Sequence, residues 1–102
     1  ATAAKESTFT NDLVIFPNPV EPGDEGPIAI NGMARNAQVK ITDLSGKLVA
    51  EGKAIGGQFI WQGTDYNGRR VTTGVYLVFA SATRLFGQNK PESAVGKIVF
   101  IR

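Results

Sequence analysis

The residue types that carry most enzymatic chemistry are missing from this sequence. It contains no Cys and no His, so it has no thiol nucleophile, no imidazole base and no disulfide. Ser-His-Asp hydrolases and nearly all transition-metal sites are excluded with them. The adjacent carboxylates Asp24 and Glu25 lie in a stretch rich in Pro and Gly. Nothing around them predicts the raised pKa that general acid–base catalysis needs, and we expect no enzymatic activity.

A second candidate is the segment DYNG at residues 65–68, which looks like the middle of a calcium loop. The register fails, because the first and twelfth ligand positions would fall on Gly63 and Gly74, which offer no side-chain oxygen. A tight turn with Gly68 at positive φ explains the same residues. The glycine-rich stretches lack the Lys-Ser/Thr that follows a phosphate-binding loop. We therefore predict no metal ion and no cofactor.

The remaining candidates are aromatic. Trp61, Tyr66 and Tyr76 would form a platform for a sugar if they lay in a row on the surface, as in carbohydrate-binding sandwiches. However, Trp61 shares a strand face with Phe59, which favours a place in the core for both rings. Carbohydrate binding is therefore an alternative rather than the main hypothesis.

Short apolar runs rich in Val, Ile and Phe alternate with clusters of Gly, Pro, Asn and Asp, which is typical of strands and turns. No window shows the helical spacing of apolar residues, and 12 Gly and 5 Pro interrupt the chain. Seven strands are predicted, at residues 13–16, 28–30, 37–43, 47–51, 59–62, 75–82 and 95–101.

This pattern predicts an all-β fold, a seven-stranded Ig-like antiparallel β-sandwich. We expect it to cover residues 12–102, after a linker or disordered segment at residues 1–11. The runs at 75–82 and 95–101 are apolar on both faces, which favours strands that are covered on both sides. A long loop at residues 83–93 is expected to join them.

Charge and hydropathy limit the classes of molecule that the protein is expected to bind. The net charge is +2, with −3 in residues 1–51 and +5 in residues 52–102. No Lys/Arg cluster or motif indicates nucleic-acid binding, and no apolar run is long enough for a membrane span. The sequence begins at Ala1 without a signal peptide, as expected of a mature product or a piece of a longer protein. We expect the function to reside in a surface.

Several motifs resemble those of one family, the C-terminal sorting domains of the type IX (Por) secretion system of Bacteroidetes. The resemblance covers residues 12–102, and the long loop is similar to that of the PorZ-like, propeller-associated variant of the family. The motifs are VIFPNPV at 14–20, AQVKITDLSGKLV at 37–49, WxGxDxxG at 61–68, GVYLV at 74–78 and GKIVFIR at 96–102.

This resemblance implies a non-enzymatic sorting signal that takes a larger parent protein through the periplasm to the outer membrane or cell surface. The implied partners are an outer-membrane shuttle and a sortase-like peptidase. The implied partner-binding residues form the closing motif: Lys97, Ile98, Val99, Phe100, Ile101 and Arg102. The implied markers of the fold are Pro17, Asn18, Pro19, Gly46, Gly68 and Gly74.

If the closing strand lies at a sheet edge, its backbone N–H and C=O groups can pair with a partner strand. Lys97 and Arg102 would add charge steering. Two further possibilities stay open: a domain that is retained and docks its parent at the outer membrane, and a strand-swapped dimer of the isolated domain. If the domain is removed, cleavage is expected within or near residues 1–11.

Overall fold

The computed structural model describes residues 13–83 and 91–102, and its regular elements are all β-strands. The predicted linker at residues 1–11 lies outside the described residues. Seven strands follow one another along the chain: β1 (Val14–Phe16), β2 (Ile28–Asn31), β3 (Gln38–Asp43), β4 (Leu48–Lys53), β5 (Gln58–Trp61), β6 (Gly74–Thr83) and β7 (Pro91–Phe100).

The strands form two antiparallel sheets. One has three strands in the order β1-β2-β5, and the other has four in the order β4-β3-β6-β7. The prediction of a seven-stranded β-sandwich is confirmed. β7 pairs with β6 over its whole length and, within residues 13–83 and 91–102, has no second neighbouring strand, so it is an edge strand of the described sheet.

The core follows from the period-two alternation of each strand. In β3, Val39 and Ile41 are fully buried while Lys40 between them is exposed. Full burial of one such side chain contributes roughly 1.5–3 kcal/mol. Ile28 and Ile30 on β2 supply the facing layer.

Three aromatic rings fill part of this core. Trp61, Tyr76 and Phe100 lie with ring centroids 6.0–6.2 Å apart, in tilted or edge-on arrangements. The indole N–H of Trp61 donates to the carbonyl of Thr64 at 2.9 Å, and the Tyr76 hydroxyl donates to the carbonyl of Thr72 at 2.7 Å. Both polar groups are therefore satisfied, and β7 completes the cluster through Phe100.

Two details of the sequence prediction were wrong. β6 extends through Thr83 and β7 begins at Pro91, so the connection is shorter than predicted and lies at residues 84–90, outside the described residues. Small and polar residues such as Ser81 and Ser93 pair in this extension, and hydropathy gives no sign of it. The second error concerns burial of the last two strands, which were expected to be covered on both sides. Phe79 and Val95 pair across the outer face and remain 39% and 38% exposed.

Candidate partner-binding site

The closing segment divides its side chains between core and surface. Ile98 and Phe100 are 0% and 1% exposed, and they face the opposite sheet. Lys97, Ile101 and Arg102 are exposed on the surface. Of the residues implied by the family resemblance, the buried pair is therefore inaccessible to a partner while the domain is folded.

The opening motif holds this segment in place through Asn18. Its side-chain Nδ2 donates to the carbonyl oxygen of Lys97 at 2.8 Å, and its Oδ1 accepts from the backbone N–H of Val99 at 3.0 Å. The Asn18 amide thus makes the two hydrogen bonds that a neighbouring strand would otherwise make with the Lys97 carbonyl and the Val99 N–H. The flanking residues, Pro17 and Pro19, both follow cis peptide bonds.

Val20 continues the same contact by a parallel bridge to Phe100. The N–H of Val20 donates to the carbonyl of Val99 at 2.7 Å, and the N–H of Ile101 donates to the carbonyl of Val20 at 2.7 Å. Four edge groups of the closing segment are therefore already paired within the domain. In the folded domain, Asn18 and Val20 occupy the hydrogen-bonding groups that a partner strand would need along this stretch.

Arg102 is also held in place by hydrogen bonds. Its backbone N–H donates to Thr73 Oγ1 at 2.9 Å, and its guanidinium Nη1 contacts the carbonyls of Arg70 and Val71 at 3.2 and 3.4 Å. Charge steering by Arg102 would therefore act from a fixed position.

Arg70 is a structural residue that the sequence prediction missed. Its guanidinium donates to the carbonyls of Gln62 and Asp24, and it lies over the Phe100 ring at 5.0 Å from the centroid. It also explains the glycine of the WxGxDxxG motif. A Cβ on Gly63, whose φ is 74°, would lie 2.9 Å from Arg70 Nη1.

The turn at Ser45 and Gly46 is stabilised by the Asp43 carboxylate before it. Asp43 Oδ1 accepts from the backbone N–H groups of Ser45 and Lys47, both at 2.9 Å, and from Ser45 Oγ at 2.7 Å. The Ser45 hydroxyl contributes most to lowering the pKa of Asp43, followed by the Lys47 backbone N–H. Gly46 adopts φ 94°, which accounts for its role as a fold marker.

The turn at residues 65–69 repeats this arrangement. Asp65 Oδ1 accepts from the N–H groups of Asn67 at 2.8 Å and Arg69 at 3.1 Å, and Gly68 has φ 79°. The Arg69 backbone bond is the main cause that lowers the pKa of Asp65. The prediction of a Gly68 turn is confirmed. Gly74 has neither a positive φ nor a neighbour that would crowd a Cβ, so nothing in the structure requires glycine there.

The two turns line one open groove of about 750 Å³, together with Arg70 and Arg102. Tyr66 projects at its rim, 61% exposed, and its pKa is raised by partial burial and then by the Glu51 carboxylate. Both turn carboxylates are engaged by backbone N–H groups. Within the ranges 13–83 and 91–102, no group of three or more acidic, His or Cys side chains is placed to hold a metal ion.

The other candidates from the sequence do not assemble into a site. Asp24 accepts from the backbone N–H of Glu21 at 3.0 Å and, like Glu25, lies on the surface. Trp61 and Tyr76 are 3% and 6% exposed, so the row of three surface aromatics that sugar binding would need does not form. In the part of the chain that the structure describes, no helix is long and apolar enough to cross a bilayer.

Comparison with known proteins assigns the chain to the same family as the motifs do. The model of the family described as "Secretion system C-terminal sorting domain" matches residues 14–90, and the chain belongs to this family. It is a sorting domain of the type IX secretion system, of the kind that directs export to the outer membrane or cell surface. The family is generally non-catalytic.

Among solved structures, the chain is similar to PorZ of Porphyromonas gingivalis, described as an essential bacterial surface component of the type IX secretion system. The identity is 26% and the TM-score 0.73, over 89% of this chain and 12% of that one. The chain thus spans about an eighth of the length of PorZ. No curated protein matches it in sequence.

Proposed function

We propose that this domain is a non-enzymatic sorting signal that its partners read as a folded body rather than as a linear peptide. The partners are components of the type IX system, an outer-membrane shuttle and a sortase-like peptidase, which meet the domain after it has reached the periplasm. They contact the exposed members of the closing segment, Lys97, Ile101 and Arg102, and the half-buried Val99.

One observation supports this reading more than any other. Asn18 joins the opening and closing motifs through two hydrogen bonds, to Lys97 and Val99, across about eighty residues of sequence. The closing segment also provides Ile98 and Phe100 to the core. A linear signal would need to leave the fold and expose both side chains, whereas a surface signal can be read in place.

The test is delivery of an exported reporter, fused to this chain, to the surface of a host that has the type IX system. Deleting residues 97–102 is uninformative, because it also removes Ile98 and Phe100 from the core. The double variant Lys97→Glu/Ile101→Ser changes only the exposed face, and Phe100→Ala is the matched core variant.

We expect the double variant to keep its circular dichroism spectrum and melting temperature but to lose delivery. Phe100→Ala should lose both, since truncation of a core Phe costs about 3–5 kcal/mol. Normal delivery of the double variant would show that the closing segment is not the surface that partners read. Normal delivery of an unfolded Phe100→Ala chain would refute recognition of a folded body.

A second function, retention as a docking module, is favoured by the similarity to PorZ, which is itself a surface component. In this case the domain stays attached and holds its parent protein at the outer membrane. The intact mass of the surface-bound parent distinguishes the two functions, because the mass of the domain is either present or missing.

A further inference from the structure

The exposed edge of β7 has two halves that differ in their hydrogen bonding. The bonds to Asn18 and Val20 show that Lys97, Val99 and Ile101 turn backbone groups away from β6. In an antiparallel strand the N–H and C=O of one residue point to the same side, and this side alternates from residue to residue. The N–H and C=O groups of Ser93 and Val95 therefore also face away from β6. None of these groups bonds to any residue in 13–83 or 91–102.

The unpaired stretch has a definite length. It begins after Pro91, which has no N–H to offer, and it ends at the N–H of Lys97, beyond which Asn18 covers the edge. Its outward N–H and C=O groups recur every second residue, about 6.6–6.8 Å apart. An extended backbone matches this spacing, whereas a helix has already used its own backbone groups.

Apolar side chains lie beside this edge. A cavity of about 280 Å³ opens beside it; its apolar lining is Leu13, Ile15, Leu77, Val95 and Gly96, and Asn18 and Lys97 complete it. On the outer face, Phe79 and Val95 form a half-exposed pair. A strand laid along the edge turns every second side chain toward this apolar surface.

We propose that the edge of β7 from Ser93 to Lys97 is the docking site for an extended, partly apolar strand of the component that receives this domain. The strand pairs with the backbone of Ser93 and Val95 and places one apolar side chain in the cavity at Leu13 and Ile15. This inference rests on the proposed function and specifies how the partner holds the folded signal.

The variant that tests it is Val95→Pro. The N–H of Val95 faces away from β6, so proline removes an edge donor without breaking the ladder within the domain, and edge strands tolerate proline. Val95→Thr is the matched control, because it keeps the shape and the N–H. In the reporter fusion, we expect delivery of Val95→Pro to fall by about tenfold or more, as when an interface hydrogen bond is lost and the ring blocks approach.

Val95→Thr loses only part of the apolar side chain and should be delivered better than Val95→Pro, because it keeps the backbone N–H; equal losses in the two folded variants would contradict pairing with this edge. A folded Val95→Pro chain with normal delivery would overturn the inference but leave the proposed function intact. Failure of the unchanged chain to deliver the reporter would instead overturn the proposed function. If Val95→Pro does not fold, Ser93→Pro removes the neighbouring outward donor and is judged by the same readout.

Amide hydrogen exchange on the free 102-residue chain provides an independent test. The N–H of Val95 should exchange rapidly, while that of Gly96, which faces β6, should be protected. A protected Val95 amide would overturn the inference, since the edge would then be covered by another part of the chain. If the protection depends on concentration, the occupant is a second copy.

Discussion

Replacing Asn18 by Ala removes the side chain that joins the opening motif to β7. Two hydrogen bonds are lost, of 2.8 and 3.0 Å, while the two bonds made by Val20 remain. Each such bond contributes about 0.5–1.5 kcal/mol, and because the site is exposed we expect a loss of about 1–2 kcal/mol in the free energy of unfolding. For a domain of this size the melting temperature should fall by about 5–15 °C.

Thermal unfolding followed by circular dichroism measures this change, with Asn67→Ala as the matched control. The Asn67 side chain is exposed, and its backbone N–H makes the bond to Asp65. The control therefore changes the same residue type without breaking that bond. If Asn18→Ala lowers the melting temperature by no more than the control, within about 2 °C, the Asn18 hydrogen bonds do not hold the closing segment and the reasoning is refuted.

Three further predictions follow from the groove and its turns. Arg70→Ala should lower the free energy of unfolding in urea by about 2 kcal/mol, through lost charged hydrogen bonds and the contact with the Phe100 ring; an unchanged urea midpoint would contradict this. Gly63→Ala should destabilise more than Gly46→Ala in the same assay, because both have positive φ but only Gly63 is crowded, by Arg70; equal effects would show that crowding is irrelevant. Finally, Asp43 has a lowered pKa, so the stability that it contributes is present above its ordinary value near 3.8 and is lost as the pH falls through the lower folded value. Asp43→Asn should flatten the pH dependence in that acidic range, and an unchanged profile would refute the assignment.

The architecture could be predicted because its signals are local. Alternation in β3 placed Val39 and Ile41 in the core, and Gly46 and Gly68 marked turns that need a positive φ. Each of these features depends on residues a few positions apart, so no knowledge of the topology was required. Strand ends were less certain, as at Thr83 and Pro91, because backbone pairing continues after hydropathy has lost its pattern.

The candidate site could be predicted only in part, because its contacts span the whole chain. The closing motif was identified by resemblance, but its place at a sheet edge entered only as a condition, because strand order depends on contacts between distant parts of the chain. The contact that covers this edge could not be predicted, because Asn18 lies 79 residues before Lys97 and an isolated Pro-Asn-Pro is typical of a loop. Arg70 was missed for the same reason: its acceptors are carbonyls of Gln62 and Asp24, and backbone carbonyls leave no trace in sequence.

The alternation within β7 also decides how such a signal can be studied. Even-numbered residues such as Ile98 and Phe100 complete the core, while odd-numbered residues such as Lys97 face outward and form the edge. Deletion of residues 97–102 removes both sets at once, so loss of export after that deletion is compatible with either role. Substitutions confined to either the even-numbered or the odd-numbered residues separate the two roles, because the two sets of side chains lie on opposite faces of the strand. A signal built in this way is available to a partner only once β7 has joined the sheet, and a chain that lacks the closing segment or fails to fold cannot present it.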